Sequence, residues 1–299
     1  MNGHLALIYA VLPTTVDLRV AIPESHPSTP NLGSERMGSG TIIDPDGYIL
    51  TVHYVTLGAD SITVTLADGE KFPGELAAQD FETGLALIKI PAQDLPFVQL
   101  APEAPALGQA AWIVASSGET ERRVSGGYVT SLESFDAQWE YLLEKAIRLT
   151  AFNPGFGGGT LVDFKGRMMG VVSLNLNEIG KFSLAIPIEY YAQHRQELRQ
   201  HGKVQSRPRR PWLGFYPQPF AGHIVITGVV PGGPAERSGL REGDIIIGVE
   251  TKEIRSRPDL YREIWKKRPG ERISFRILRE EESLNLDVIS GDRWDFYRS

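Results

Sequence analysis

The hydrophobic positions of this chain fall into short runs closed by turn residues, a β pattern for most of its length. Leu5 to Leu12 reads as a short helix that Pro13 breaks, and Val16 to Ile22 reads as a strand. Pro23 to Glu35, with three prolines among Ser, Thr, Asn and Gly, reads as a surface loop. Strands are predicted at Thr41–Ile43 and Tyr48–Val52 around the turn Asp44-Pro45-Asp46-Gly47. Ile62 to Leu66 alternates strictly, and Asp68-Gly69 marks a turn before Phe72. Further runs at Leu85–Ile90, Ala110–Ala115, Val124–Leu132, Ile147–Phe152, Met168–Leu174 and Phe182–Ile186 complete about a dozen strands, which predicts barrels or a sandwich.

The pattern changes at Ile188, where a helix is expected to run to Gln200. Gly202 to Pro211 then carries Lys203, Arg207, Arg209, Arg210 and two prolines, the composition of a connector. After it comes a compact second unit. Strands are predicted at His223–Val230, Asp244–Val249, Arg272–Leu278 and Ser283–Ile289, with helices at Pro234–Ser238 and Pro258–Lys267. The expected division is a domain over 1–192, a helix end and basic linker over 193–210, a second domain over 211–292 and a tail over 293–299. Trp294, Phe296 and Tyr297 let that tail either dock or fray.

Composition narrows the chemistry. The chain has 299 residues, 41% hydrophobic and 23% charged, long enough for more than one full core. A net charge of −6 argues against nucleic acid as the main partner, and the basic connector has no interleaved aromatic residues. Without cysteine there is no thiol nucleophile, thiolate metal site or disulfide. Asp60, Asp80 and Glu82 lack a His-containing ligand spacing and read as loop carboxylates, so no metal or cofactor is expected. No run is long enough to span a bilayer, and no membrane anchor is expected. Leu5–Leu12 lacks the basic flank and cleavage site of an export signal. A full-length chain would then be cytoplasmic, and a trimmed one extracytoplasmic.

One loop stands out: Asn153-Pro154-Gly155-Phe156-Gly157-Gly158-Gly159-Thr160-Leu161. Its glycines suit a phosphate cradle, an oxyanion hole or a plain tight turn. The order of landmarks around it is more specific. Gly38-Ser39-Gly40-Thr41-Ile42-Ile43-Asp44, Gly47-Tyr48-Ile49-Leu50-Thr51, Leu85-Ala86-Leu87-Ile88-Lys89-Ile90 and Val124-Ser125-Gly126-Gly127-Tyr128-Val129 resemble, in sequence order, an HtrA-type serine protease. Trp212-Leu213-Gly214-Phe215, Val230-Pro231-Gly232-Gly233-Pro234-Ala235 and Gly243-Asp244-Ile245-Ile246 resemble that family's PDZ domain. The resemblance implies a mainly β fold: a chymotrypsin-like double β-barrel followed by a small α+β PDZ domain.

The resemblance also implies where a catalytic triad should lie, and all three positions differ. The His position is Tyr54, with His53 one residue early, the Asp position is Gly84 and the Ser position is Gly157. A triad needs a hydroxyl nucleophile, an imidazole base and an orienting carboxylate. None is present at these positions, so the reading is a pseudoprotease in which Gly155, Phe156 and Gly157 keep the backbone of a former oxyanion loop. Ser116, Ser117 and Thr160 are hydroxyls without an evident base.

For the PDZ unit, the resemblance implies that Leu213, Gly214 and Phe215 capture a C-terminal carboxylate and that the peptide adds as a strand to a sheet edge. The opposite wall is the helix, where Leu260 with Ile264 and Tyr261 with Trp265 form two adjacent stripes. One stripe faces the core and the other the groove; large residues there are equally able to fill the groove. The expected function is an inactive scaffold or adaptor that binds C-terminal peptides or tails of partner proteins. The alternatives are a residual or altered serine-type peptidase and a regulatory subunit of a mixed oligomer with active family members; the assembly expected is a homotrimer or such a mixed oligomer.

Overall fold

The structure, a computed structural model, describes residues 9–176 and 182–298. The helix expected from Leu5, and its suggested part in oligomers, falls largely outside these residues; residues 9–11 are helical and a 3-10 turn, Leu12–Thr14, follows. The chain divides into two compact units. Residues 1–133 and 144–205 form the first, and residues 134–143 and 206–299 the second.

The first unit is two closed six-stranded barrels. β1 (Thr15–Ala21), β2 (Glu35–Ile42), β3 (Tyr48–Val52), β4 (Ser61–Thr65), β5 (Lys71–Asp80) and β6 (Leu85–Lys89) close in the order β1-β2-β3-β6-β5-β4. The alternation of β1 explains its place, since Val16, Leu18 and Val20 all point into the barrel and are buried. Short helices, α1 (Thr29–Leu32) and α2 (His53–Thr56), interrupt this barrel. β7 (Ala110–Ser116) and β8 (Arg122–Ser131) begin the second barrel. The chain then runs through a hairpin, β9 (Phe135–Ala137) and β10 (Tyr141–Leu143), that belongs to the other unit. β11 (Ile147–Leu149), β12 (Thr160–Val162), β13 (Met168–Asn175) and β14 (Ser183–Pro187) complete the closure β11-β14-β13-β12-β7-β8 around Ile113, Leu149, Leu161 and Val172. Both barrels were expected from the resemblance.

Between the barrels lies a buried polar link. The Ser116 hydroxyl donates to Asp17 Oδ1 at 2.7 Å, and Arg19 Nε pairs with Asp17 Oδ2 at 2.9 Å. Ser116 is thereby a structural hydroxyl joining β7 to β1. The helix expected after the barrels is α3 (Glu189–His201), ended by Gly202 in the left-handed region.

The second unit holds β15 (Pro211–Trp212), β16 (Phe215–Phe220), β17 (His223–Val229), β18 (Ile245–Val249), β19 (Lys252–Glu253), β20 (Arg272–Arg279), β21 (Glu282–Ile289) and β22 (Gly291–Asp292). Its main sheet runs β16-β17-β18-β20-β21, with β19 on β18. Helices α4 (Pro234–Arg237), α5 (Arg257–Ile264) and α6 (Arg293–Tyr297) accompany it. α5 begins one residue before the expected start and stops at Trp265, short of Lys267. Its first turn is closed by Ser256, whose side chain accepts from the Asp259 amide. The tail docks rather than frays: the Phe296 ring lies 4.5 Å from that of Trp212.

Candidate functional site

The protease-like site is assembled from β2, the turn after β3 and the glycine loop before β12. β3 delivers His53 and Tyr54 into α2, and the His53 amide donates to Gly84 O at 2.8 Å. Gly84 has φ 80°, a left-handed conformation that glycine adopts freely. Tyr54 reaches the glycine loop from the other side. Its hydroxyl donates to Ser173 O at 2.8 Å, and burial pushes the phenol well above its ordinary range, so it stays protonated. A Cβ placed on Gly157 would fall far inside van der Waals contact distance of the Tyr54 hydroxyl. Tyr54 in this place therefore requires a bare glycine at 157. Tyr54 fills the space that a side chain at 157 would use.

The loop itself is held shut. Ser39 is its clasp: its amide donates to Gly157 O at 2.7 Å and its hydroxyl to Phe156 O at 3.0 Å. The Phe156 amide donates to Ser116 O at 2.8 Å, the Gly158 amide to Val172 O at 2.7 Å, and the Gly155 amide to Asn153 Oδ1 at 3.3 Å. An oxyanion hole needs amides aimed at the place where charge develops. In this loop the amides at 155, 156 and 158 are already donated within the protein. Phe156 is half-buried, with the Arg19 guanidinium 5.6 Å from its ring centroid. His53 packs edge-on against Phe81 at 5.7 Å.

Sequence reasoning missed Arg36, which fixes Tyr54. Its guanidinium donates to Tyr54 O at 2.8 Å, Leu57 O at 2.9 Å, Gly33 O at 3.1 Å and the Ser28 hydroxyl at 2.6 Å. Burial pushes this guanidinium down to about 10, which leaves it charged at neutral pH. An Arg36→Ala variant strands those carbonyls, and we expect it to lose about 2–4 kcal/mol in urea unfolding.

In the second unit, Leu213, Gly214 and Phe215 form the expected turn between β15 and β16. The Leu213 carbonyl accepts from the Ala235 amide and the Gly214 carbonyl from the Val230 amide, both at 2.8 Å. Gly214 sits at φ 76°, where a side chain would be strained and would press on the Trp212 ring. With the carbonyls turned into the fold, the amides of this turn face outward, and a carboxylate lies on them. Glu140 Oε1 accepts from Gly214 N at 2.7 Å, and Oε2 accepts from Leu213 N at 3.1 Å. Burial pushes the Glu140 carboxyl above its ordinary range, while the Arg293 guanidinium and the amides of Gly214, Leu213 and Phe215 pull it back.

Glu140 comes from the β9–β10 hairpin, and that hairpin covers the residues expected to line the groove. Leu142 joins the core made by Leu213, Phe215, Leu260, Tyr261 and Ile264, all of them buried. The Tyr261 hydroxyl donates to Ala137 O at 2.6 Å. Tyr261 therefore faces the hairpin while sharing one core with Leu260 and Ile264 of the other stripe. Trp265 is half-buried, stacked on Tyr261 at 5.3 Å and covered by the Arg210 guanidinium at 3.9 Å. Nothing in the pattern of 134–143 marked this segment as part of the site.

Among the described residues no group of three or more His, Cys, Asp or Glu is arranged to hold a metal ion, and no helix is long and apolar enough to cross a membrane. Two family models match the chain: a trypsin-like peptidase domain over residues 38–171 and a PDZ domain over residues 211–289. A probable periplasmic serine endoprotease DegP-like of Halomonas elongata is 31% identical over 274 residues, 86% of this chain and 56% of the relative. One of the same description from Hahella chejuensis is 30% identical over 86% of this chain and 57% of its own length. The chain thus spans little more than half the length of these relatives. Among solved structures, an HtrA-type protease AlgW with decapeptide is 28% identical, with a TM-score of 0.58 over 97% of this chain and 98% of that one. The same protease with tripeptide is 27% identical, with a TM-score of 0.59 over 97% of both chains.

Proposed function

We propose that this HtrA-like protein, a pair of trypsin-like barrels joined to a PDZ domain, binds protein termini and does not cut peptide bonds. The observation that carries the proposal is the Tyr54 hydroxyl against bare Gly157. Hydrolysis by this fold needs a nucleophile at 157, a base at 54 and an orienting carboxylate at 84. Here the first has no side chain, the second is a half-buried phenol that stays protonated and the third is glycine. Loss of a whole triad costs on the order of 10⁶ in turnover.

Support for the binding half comes from the PDZ turn, whose amides already hold a carboxylate in this chain. The matched solved structures are of an HtrA-type protease with decapeptide and with tripeptide. The partner proposed here is a protein or peptide tail ending in a free carboxylate beside an apolar side chain. Leu213, Gly214 and Phe215 would take the carboxylate, and Tyr261, Ile264 and Trp265 would form the facing wall.

Two measurements test this. A serine-directed phosphonate probe at high protein concentration should label nothing, and casein should remain uncut; labelling at any residue would restore the hydrolase reading. C-terminal peptides should bind with a free carboxylate and lose at least about tenfold in affinity when amidated, the loss expected when a charge-assisted hydrogen bond is removed. Equal binding of the two forms would remove carboxylate capture from the proposal.

A further inference from the structure

The hairpin that supplies Glu140 has an unusual turn. Ala137 pairs with Tyr141, so Gln138, Trp139 and Glu140 make a three-residue loop. Such loops end on a residue in the left-handed region, where glycine is the favoured choice. Here that residue is Glu140, at φ 54°. A side chain in this conformation costs about 1–2 kcal/mol, so the local turn alone disfavours glutamate. What glutamate gains is seen at its carboxylate, which is buried on the Leu213 and Gly214 amides.

The rest of the hairpin is fastened in the same place. Asp136 pairs with Arg257 at 2.6 Å at the start of α5. Ala137 O accepts from Tyr261, and Leu142 is buried beside Leu213 and Phe215. Arg293 donates to Trp139 O at 2.9 Å and to Glu140 O at 3.2 Å. A carboxylate on the turn and a leucine in the apolar core beside it reproduce, from the middle of the chain, what a C-terminal residue presents to a PDZ domain.

The sheet edge beside the turn is altered as well. β16 is an edge strand that pairs with β17 and contains Pro217 and Pro219. A proline in a paired strand keeps its donor-less nitrogen on the unpaired side. The free edge of β16 thus lacks two of the N–H groups that an added strand would use.

We infer that the 134–143 hairpin is a built-in ligand of the PDZ turn, and that a partner tail binds only after Glu140 has been expelled. This rests on the binding proposed above and adds its regulation and its reach. With Pro217 and Pro219 on the free edge, recognition is confined to the terminal carboxylate and the side chains nearest it. Longer peptides then gain little over short ones, since few strand hydrogen bonds await them.

The test uses the full chain and two variants. Glu140→Gly removes the carboxylate while giving the turn its favoured residue, so the hairpin itself is not disfavoured. Asp136→Asn weakens the Arg257 pair alone. Hydrogen exchange at the Leu213 and Gly214 amides should be at least about tenfold faster in Glu140→Gly than in the parent chain. Unchanged protection there would overturn the inference, whatever the peptides do.

The second reading is binding of a degenerate library of peptides ending in a free carboxylate and an apolar residue. Displacement of an internal ligand lowers apparent affinity by the fraction of open molecules, so Glu140→Gly should bind about tenfold tighter or more, and Asp136→Asn should fall between. Equal affinity for parent and variants would show that Glu140 does not compete and would overturn the inference while leaving tail binding intact. If no library member binds any of the proteins, competition and tail binding fail together, and faster amide exchange would identify the hairpin as a fixed structural insert.

Discussion

Gly157→Ser should destabilise the first unit by about 1–3 kcal/mol, the usual cost of forcing extra atoms into a packed site. The cause is specific, because the new Cβ would overlap the Tyr54 hydroxyl and Gly157 has no left-handed φ to add strain of its own. Tyr54→Phe removes that hydroxyl and should cost about 1 kcal/mol by leaving Ser173 O without its donor. Combined, the two changes should be less damaging than their sum, with a coupling of about 0.5–3 kcal/mol. Urea unfolding of the four proteins measures it. Strict additivity would mean that Tyr54 and Gly157 act independently.

The same variant should remain unlabelled by a serine-directed phosphonate. A serine hydroxyl at 157 would meet a phenol whose pKa burial raises, not an imidazole, and a phenol of that kind does not take a proton at neutral pH. Nucleophile, base and orienter have to return together. Gly84 makes even that hard, since an aspartate there would carry φ near 80°.

These features differ in how far the chain displays them. The barrels are legible because alternation such as Val16-Leu18-Val20 is a local property that survives in the fold. The triad positions are legible through the resemblance, which supplies the register along the chain. What Tyr54 does there is not, because the approach of its hydroxyl to position 157 depends on closure of two barrels. Arg36 gives no signal either: a lone arginine in a strand looks exposed until its carbonyl partners are assembled around it. Phe215–Phe220 is not among the strands the pattern predicts; Pro217 and Pro219 interrupt it, and it exists only as an edge. The Glu140 hairpin was the least visible, since Ser134 to Leu143 has neither clear alternation nor a glycine at its turn.

Leu142→Ala should destabilise the second unit by about 2–5 kcal/mol, the range for a buried leucine that leaves a cavity. Leu142 is 3% exposed, within a core that also holds Leu213, Phe215, Leu260 and Tyr261. Leu107→Ala, at a leucine 66% exposed, serves as the control and should change stability by less than about 0.5 kcal/mol. The location of the effect matters as much as its size. By sequence position Leu142 lies between two strands of the second barrel, β8 and β11, yet its loss should speed amide exchange in β16, β18 and β20. The strands β1 to β6 should exchange as before. A loss confined to the barrels would mean that the hairpin draws its stability from the first unit, whereas loss in β16, β18 and β20 would make it part of the PDZ core. In that event the chain cannot release its internal carboxylate without also uncovering apolar surface, and opening of the groove is coupled to the stability of the domain that carries it.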